Sequence, residues 1–298
     1  MKHLLVIGAS GVLGNSAARY FLEKGYKVTA FVRDLKKVTE LAALGAIVKE
    51  GDITQPSTYG NIFDEVDVVL TAVHSLLGKG NNNSENVDLQ GHKQLIDAAL
   101  AAGVTHFIYT SATLAGPDNP LDFSRYKYDV EQYLSKSGLS YTILRPAAFM
   151  EWHAYRLLGK NIIEKGKTTI LGKGDTHMNF IAVKDVVMAI DHIISGSGYR
   201  NTIISLAGPG NYSRNEVADL FGKATGKTYK TGHMPIGMVN ILGALMKPFH
   251  PGLARVMRFT VLSEGKDASM DAMFTIQQFG LRPTTLGEFI KETLNTKS

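Results

Sequence analysis

The sequence predicts a doubly wound α/β fold followed by a smaller C-terminal lobe. Through the first half of the 298 residues, apolar β-rich segments alternate with segments of helical periodicity. A glycine motif lies between the first strand and the first helix, at the end of the sheet where such folds bind ligands. Apolar residues make up 44% of the chain, which is enough for a large core.

Six strands are expected in the first half of the chain, at residues 3–8, 27–32, 46–51, 66–73, 106–112 and 141–146. Helices are expected between them, among them residues 15–25 and 90–103. These two helices end at Gly25 and Gly103, as the C-terminal preference for glycine leads one to expect. Right-handed crossovers between such strands give a parallel sheet that is covered on both faces.

The alternation loosens after Pro146. A short strand with a helix, a further strand, and a helix that begins with a capping box of Ser213 and Glu216 are expected at residues 179–194, 202–208 and 213–226. We therefore expect residues 1–150 to form the main domain. Residues 151–298 are expected to form a smaller lobe, mixed with elements that return to the main sheet.

Charge and composition restrict the class of protein. The net charge is +5, but the basic residues are scattered, a pattern that does not favour nucleic-acid binding. Cysteine is absent, and the nine histidines lack ligand spacing with carboxylates, so no metal site is predicted. No apolar run approaches the ~18 residues of a membrane span, so a soluble, cytoplasmic protein is expected. The longest such run, residues 238–246, fits a core helix.

The turn after the first strand carries a GxxGxxG motif formed by Gly8, Gly11 and Gly14. The first glycine permits the tight turn, the second lets the backbone approach a pyrophosphate, and the third lets the helix pack closely on the strand. The N-terminus of the helix offers free N–H groups and the positive end of its dipole. The sequence therefore predicts a Rossmann-type dinucleotide site that includes Gly8, Ser10, Gly11, Val12, Leu13 and Gly14.

The end of the second strand, FVRD, indicates which dinucleotide binds. Arg33 stands where an acidic residue would bind the ribose 2′-hydroxyl of NAD, and Lys36 and Lys37 follow it. The planar guanidinium suits a 2′-phosphate. We therefore predict NADP(H) in preference to NAD(H), with Arg33 and Lys37 in the site. Asp34 is the alternative, since a carboxylate turned toward the ribose would favour NAD(H).

Further cofactor contacts are expected at the ends of the third and fourth strands. Asp52 either hydrogen-bonds the adenine amino group while Ile53 packs on the ring, or it caps a turn. Ala72 and Val73 end the fourth strand and are expected in the cofactor site. His74, which follows them, is either a candidate acid or an exposed polar residue.

The chain resembles the atypical short-chain dehydrogenase/reductases, and within them the NmrA-like family. The resemblance rests on GASGVLG, FVRD, GDI, SGLSYTILRPAAFM and FIAVKDV, at residues 8–14, 31–34, 51–53, 137–150 and 180–186. It implies a dinucleotide-binding domain, a small substrate lobe and a preference for NADP. The implied functions range from quinone and dye reductases to redox-sensing regulators without activity. The resemblance also places Pro146, Ala147 and Phe149 beside the nicotinamide.

Catalytically standard members of this superfamily combine a serine with a Tyr-x-x-x-Lys pair, whose tyrosine donates a proton to the substrate carbonyl. Ser111 matches the serine and Lys127 matches the lysine, but Phe123 stands in the place of the tyrosine. Tyr126 and Tyr128 flank the lysine at a spacing that turns them away from that position. The chain therefore departs from the family pattern at the proton donor.

Two functions remain open. In the first, NADPH reduces an electron-poor small molecule such as a quinone or a conjugated cation, positioned by the protein and without a tyrosine acid, while Lys127 holds the ribose. In the second, the protein binds NADP(H) as a signal and acts through a regulatory protein partner. Tyr126 or Tyr128 as a displaced acid is a third option.

Residues after the sixth strand are expected to line a substrate pocket. These are Met150, Trp152 and His153. The face of Trp152 suits a flat ring, or the indole packs in the core of the small lobe. The apolar segment at residues 238–259 either roofs the pocket or forms a subunit contact, as in a homodimer.

Overall fold

The computed structural model describes residues 2–226 and 228–296. The chain divides into two units. The first comprises the residues up to Arg145 together with Val187–Ile204, and the second comprises Pro146–Val186 together with the residues from Ser205 onward. The chain therefore leaves the first unit after its sixth strand and returns to it for one helix and one strand.

The β-strands are β1 (His3–Ile7), β2 (Lys27–Val32), β3 (Ile47–Glu50), β4 (Val68–Thr71), β5 (His106–Thr110), β6 (Tyr141–Pro146), β7 (Ala148–Phe149), β8 (Lys167–Leu171), β9 (Met178–Ile181), β10 (Thr202–Leu206), β11 (Gly210–Tyr212) and β12 (Lys230–Met234). The α-helices are α1 (Val12–Glu23), α2 (Thr39–Ala43), α3 (His92–Ala101), α4 (Asp122–Lys136), α5 (Lys160–Lys165), α6 (Val183–Ser195), α7 (Arg214–Thr225), α8 (Ile236–Met246), α9 (Pro251–Ser263), α10 (Met273–Phe279) and α11 (Leu286–Asn295). Two π-helical segments, Glu85–Gly91 and Met150–Gly159, lead into α3 and α5.

The first unit is built on a seven-stranded parallel sheet with the strand order β10-β6-β5-β4-β1-β2-β3. Leu5 of β1 lies opposite Thr29 on one side and Val69 on the other. The order reverses between β1 and β4, and ligands of doubly wound sheets bind beyond the carboxyl ends of the strands at such a point. The predicted fold class and all six strands expected in the first half of the chain are confirmed.

Buried strands and the inner faces of the helices form the core of the first unit. All five residues of β1 are buried, and Phe107 and Leu95 are fully enclosed. Each such side chain stabilises the fold by about 1.5–3 kcal/mol. Gly25 and Gly103 follow α1 and α3 with φ of 81° and 75°, the left-handed conformation that ends a helix.

The second unit contains a three-stranded sheet, β11-β9-β7, and a two-stranded sheet, β12-β8. Its core includes Met150, Phe180 and Phe221. The α7 helix begins with the expected capping box, in which Ser213 and Glu216 exchange hydrogen bonds. The expected helices and strands of this half of the chain are therefore present.

The prediction of a core helix at residues 238–246 was wrong. The segment is helical, as α8, but Met238, Ile241 and Leu245 are 51%, 62% and 63% exposed. The helix packs on α9, where a Cβ on Gly243 would lie 3.1 Å from the Cβ of Met257. Val239 and Gly243 are buried, whereas the opposite side of this mainly apolar helix is exposed. In the described part of the chain, no helix is long and apolar enough to cross a membrane.

Candidate functional site

The turn after β1 has the backbone that the glycine motif requires. Gly8 has φ of +84°, and its N–H donates to the Phe31 carbonyl at 3.1 Å. A Cβ on Gly8 would lie within 3.1–3.2 Å of Ala72 and Val73. The structure therefore places Ala72 and Val73, at the end of β4, directly against the glycine turn.

The remaining motif residues divide into an exposed and a buried group. Ser10, Gly11 and Val12 are exposed, whereas Leu13 and Gly14 are buried. Gly11 is the N-cap residue of α1 and has no side chain that could occupy the free N–H groups of the helix. A Cβ added to Gly11 would approach only the Gly8 and Ala72 carbonyl oxygens, at 3.3 and 3.9 Å. A Cβ on Gly14, in contrast, would collide with the Gly8 backbone. Gly11 thus leaves open space above the turn, and Gly14 permits the packing of helix on strand.

At the end of β2, Arg33 is an exposed cation, and the carboxylate of the neighbouring Asp34 accepts a hydrogen bond from the following turn. Arg33 is exposed, and its Nη1 donates to Asn82 Oδ1 at 2.6 Å. Asp34 Oδ1 accepts the Lys36 N–H at 3.0 Å, which caps a 3₁₀ turn. Lys36 and Lys37 are exposed in that turn. Asp34 is therefore engaged with the turn, while Arg33, Lys36 and Lys37 reach solvent.

Asp52 caps the turn that follows β3, the second of the two roles that its sequence position allowed. Its Oδ1 accepts the N–H and the hydroxyl of Thr54, both at 2.9 Å. The side chain of Ile53 is buried in the core of the first unit. A contact of Asp52 and Ile53 with adenine stays a prediction.

Lys127 is buried at the inner face of α4. Its Nζ donates to the Thr110 carbonyl at 3.1 Å and lies 3.7 Å from Asp88 Oδ1. The same Nζ lies 5.0 Å from the ring centroid of Tyr109 and 5.6 Å from that of Phe123. Burial lowers the pKa of Lys127, and the charge of Asp88 opposes this shift. The lysine is therefore held by a carboxylate, a carbonyl and two ring faces.

Asp88 is a site residue that sequence reasoning missed. It lies in the π-helical segment Glu85–Gly91 and is fully buried. Its carboxylate accepts the Ser75 N–H at 3.0 Å and the Ser84 hydroxyl at 2.7 Å, besides pairing with Lys127. The sequence carried no local signal for it, because Asp88 precedes the helix expected at residues 90–103 and its contacts depend on the π-helical segment.

Ser111 lies at the end of β5, where the family pattern places it, but its hydroxyl is engaged. Its Oγ donates to Glu131 Oε1 at 2.5 Å. Glu131 is fully buried and also accepts from Arg145 Nε at 2.9 Å. The serine therefore belongs to a buried network with Glu131 and Arg145.

Phe123 and His74 lie next to Lys127. The Phe123 and His74 rings meet edge to face, with their centroids 6.2 Å apart. His74 Nδ1 accepts the Leu76 N–H at 3.4 Å, and the side chain is exposed. Desolvation by the surrounding protein lowers the pKa of His74; the Asp88 carboxylate opposes this shift, and the Lys127 cation adds to it. The lowered pKa favours the neutral imidazole.

The other tyrosines near Lys127 lie in different surroundings. Tyr126 packs against the apolar core of the first unit, and Tyr128 is half-buried. Tyr109 is fully buried, and in the described part of the chain its hydroxyl has no hydrogen-bond partner. The position four residues before the lysine is therefore filled by the Phe123 ring, as the sequence indicated.

In the same described residues, no group of three His, Asp or Glu side chains is placed to hold a metal ion.

The residues after β6 belong to the second unit. Pro146 and Ala147 are buried, Phe149 is half-buried, and the Ala147 N–H donates to the Leu206 carbonyl at 2.8 Å. Their contact with the nicotinamide stays a prediction.

The expected pocket residues differ in exposure. Met150 is fully buried in the core of the second unit. Trp152 is half-buried with the Arg156 guanidinium 4.9 Å from its ring centroid, and His153 is half-buried. Their contact with a substrate, and the substrate lobe expected at residues 151–298, stay predictions.

Comparison with known proteins gives consistent matches over the chain. The model of the NmrA-like family matches residues 1–290. The photosystem II assembly factor Ycf39 of Guillardia theta is 27% identical over 288 residues, which are 95% of this chain and 90% of that protein. An NAD(P)H azoreductase from Xenophilus azovorans is 28% identical over 225 residues, which are 75% of this chain and 74% of the azoreductase.

A solved structure with the same fold is the NADPH-dependent quinone oxidoreductase of Escherichia coli, crystallised with NADPH. It is 25% identical, with a TM-score of 0.76, and the match covers 98% of this chain and 99% of that one. This enzyme and the azoreductase are both NAD(P)H-dependent oxidoreductases. Since the family match spans nearly the whole chain, this protein belongs to the NmrA-like family of atypical short-chain dehydrogenase/reductases.

Proposed function

We propose that this protein is an NADPH-dependent reductase of electron-poor small molecules, such as quinones or conjugated cations, and that it works without a tyrosine acid. The observation that carries the proposal is the Phe123 ring, whose centroid lies 5.6 Å from Lys127 Nζ and which occupies the position of the tyrosine in the family pattern. Phenylalanine has no proton to donate. The substrate must therefore be one whose reduction does not depend on a protein acid.

The residues of the first unit fit a dinucleotide. A Cβ added to Gly11 would meet only two carbonyl oxygens, so the surface above the turn is open, and the missing side chain would let a pyrophosphate approach the backbone. The N–H groups at the start of α1 would receive the phosphates, and Ser10 and Val12 flank them. Ala72 and Val73 border the same turn.

The preference for NADP(H) follows from the end of β2. Arg33, with Lys37 beside it, would bind a 2′-phosphate through charge-assisted hydrogen bonds. Asp34 Oδ1 accepts the Lys36 N–H, which engages one oxygen of the competing carboxylate in the turn. The proposal therefore keeps Arg33 as the specificity residue.

Bound NADPH supplies the hydride for the reduction. Lys127 would hold the ribose hydroxyls, and Asp88 and the Thr110 carbonyl keep its ammonium group in place. Phe123 and His74 offer ring surfaces against which a flat substrate is positioned, and orientation of this kind supplies much of the acceleration. The pKa of His74 is lowered, which makes the imidazole less available as a proton donor, so we assign the proton that completes the reduction to water.

The names of the relatives support this substrate class. The azoreductase and the quinone oxidoreductase both act on conjugated, electron-poor compounds by name. The test is a set of acceptors supplied with NADPH to the purified protein, with NADPH oxidation followed at its absorbance band. Quinones and cationic or azo dyes should be reduced, and simple ketones and aldehydes should not.

A second candidate is a non-catalytic NADP(H) sensor that acts through a protein partner. The observation that favours it is the similarity to Ycf39, a protein named as an assembly factor, over nearly the whole chain. Tight NADPH binding without turnover of any acceptor would favour this function over the reductase. The homodimer and the cytoplasmic location stay predictions in either case.

A further inference from the structure

The hairpin formed by α8 and α9 (residues 236–263) carries an exposed apolar patch. We define the apolar patch as Met238, Ile241, Leu245 and Phe249. These residues recur at intervals of three or four, so they share one side of α8 and its continuation. Phe249, between the two helices, is 78% exposed. A contiguous apolar surface of this kind marks an interaction site more often than single exposed side chains do.

The charge of the same hairpin is of one sign. Residues 235–263 contain no Asp or Glu, and their charged side chains are Lys247, Arg255 and Arg258. Lys247 directly follows α8, two residues before Phe249, and Lys247 and Arg258 are exposed. Exposed apolar side chains can be buried at a bilayer interface, and neighbouring cations that have no carboxylate among them are attracted to anionic headgroups.

This charge pattern discriminates between two possible partners of the apolar patch, a second copy of the chain and a lipid surface. In a symmetric dimer through the patch, the same carboxylate-free, cationic surface would face itself, because a two-fold interface pairs identical patches. Like charges would then approach without compensation. An anionic lipid surface compensates the cations and accepts the apolar side chains at the level of the headgroups.

We propose that the α8–α9 hairpin docks this protein on the surface of a bilayer that carries anionic headgroups. Phe249, Leu245, Ile241 and Met238 enter the boundary between headgroups and acyl chains, and Lys247 and Arg258 lie among the anionic headgroups. No helix crosses the bilayer in this arrangement, which is consistent with the short length of α8. The inference does not depend on the substrate proposed above.

The experiment is co-sedimentation of the full chain with vesicles of phosphatidylcholine, alone or with a quarter of phosphatidylglycerol. The wild type should bind the anionic vesicles, bind pure phosphatidylcholine weakly, and dissociate at high salt. Lys247→Gln and Arg258→Gln should each lower the partition coefficient about fivefold, which corresponds to about 1 kcal/mol per cation. Leu245→Ser and Phe249→Ser should each lower it at least about tenfold.

Matched controls keep the test specific. Leu100→Ser removes a comparably exposed leucine of α3, and Lys291→Gln removes an exposed cation of α11. Neither should change binding. Circular dichroism and the midpoint of thermal unfolding should be unchanged in the patch variants, which separates lost docking from lost folding.

Three outcomes would overturn the proposal. Absence of binding to anionic vesicles is one, and equal binding to vesicles with and without phosphatidylglycerol is another. The third is a wild-type dimer in light scattering that becomes monomeric in both Leu245→Ser and Phe249→Ser. That result would assign the apolar patch to a subunit contact.

Discussion

The Lys127–Asp88 pair is the residue-scale feature with the largest expected effect on stability. Both side chains are buried, and removing one partner of a buried pair typically costs about 3–5 kcal/mol. We expect Asp88→Asn to lower the free energy of unfolding by about this amount, because it leaves the Lys127 cation without its carboxylate. The double variant Asp88→Asn/Lys127→Met should recover part of the loss, and urea unfolding measures both.

A double-mutant cycle supplies the control for this pair. Additive effects of the two substitutions would contradict the pairing, and so would an Asp88→Asn variant as stable as the wild type.

Arg33 is expected to select the cofactor. Arg33→Ala should weaken NADPH binding by about 1–3 kcal/mol, the usual cost of losing a charge-assisted contact, and should leave NADH binding nearly unchanged. Isothermal titration with both cofactors measures this. Lys223→Ala, at an exposed cation in α7, is the matched control. An equal loss for both cofactors, or a wild type that prefers NADH, would assign the selection to Asp34.

Spacing within a motif predicted the element in which a residue lies, while the roles of these residues stay predictions. Lys127, Ser111 and Phe123 follow from the family pattern, and their places in α4 and after β5 agree with it. Asp88 could not be found in this way, because its contact with Lys127 depends on a π-helical turn that no local sequence pattern predicts. The bond of Ser111 to Glu131 likewise requires two elements to be packed together.

At the scale of elements, substitutions at two glycines between β1 and the first turn of α1 should have different effects, one on cofactor binding and the other on folding. We expect Gly11→Val to abolish NADPH binding while the protein remains folded, because its side chain enters the open space above the turn. Gly14→Val should instead destabilise the fold, since its Cβ would collide with the Gly8 backbone. Thermal unfolding and NADPH titration of both variants measure the difference. A folded Gly11→Val protein with normal binding would refute the assignment of the loop.

The burial of a helix or strand could be predicted only where the pattern of its own residues determines it. The inner strands β1 and β4 are buried along their whole length and therefore appear as continuous apolar runs. The same reasoning failed for α8, whose apolar run also predicted burial. Whether an apolar helix is covered depends on its neighbours, and in the described structure α9 covers only one side of it.

At the scale of the whole molecule, buried histidines make stability depend on pH. Burial lowers the pKa of His92 and of His106 to about 3. Between about pH 6.5 and pH 3 the unfolded chain therefore binds more protons than the folded protein. The free energy of unfolding should fall as the pH decreases through this window, by up to about 1.4 kcal/mol per pH unit for each histidine.

His92→Asn tests this dependence, because the asparagine amide can place an N–H donor where Nδ1 faces the Val87 carbonyl, and it does not titrate. Urea unfolding at several pH values between 7.5 and 4 should give a shallower slope for the variant than for the wild type. An unchanged slope would show that His92 does not contribute.

The central claim, that reduction proceeds without a protein acid, is tested most directly by the substrate dependence of NADPH oxidation in the wild type and in Phe123→Tyr. The wild type should reduce a benzoquinone and leave a simple ketone unreduced. Phe123→Tyr, with a phenol four residues before Lys127, should keep the quinone activity and gain weak ketone reduction. Ready reduction of the ketone by the wild type would contradict the account, since another side chain near Lys127 would then supply the proton.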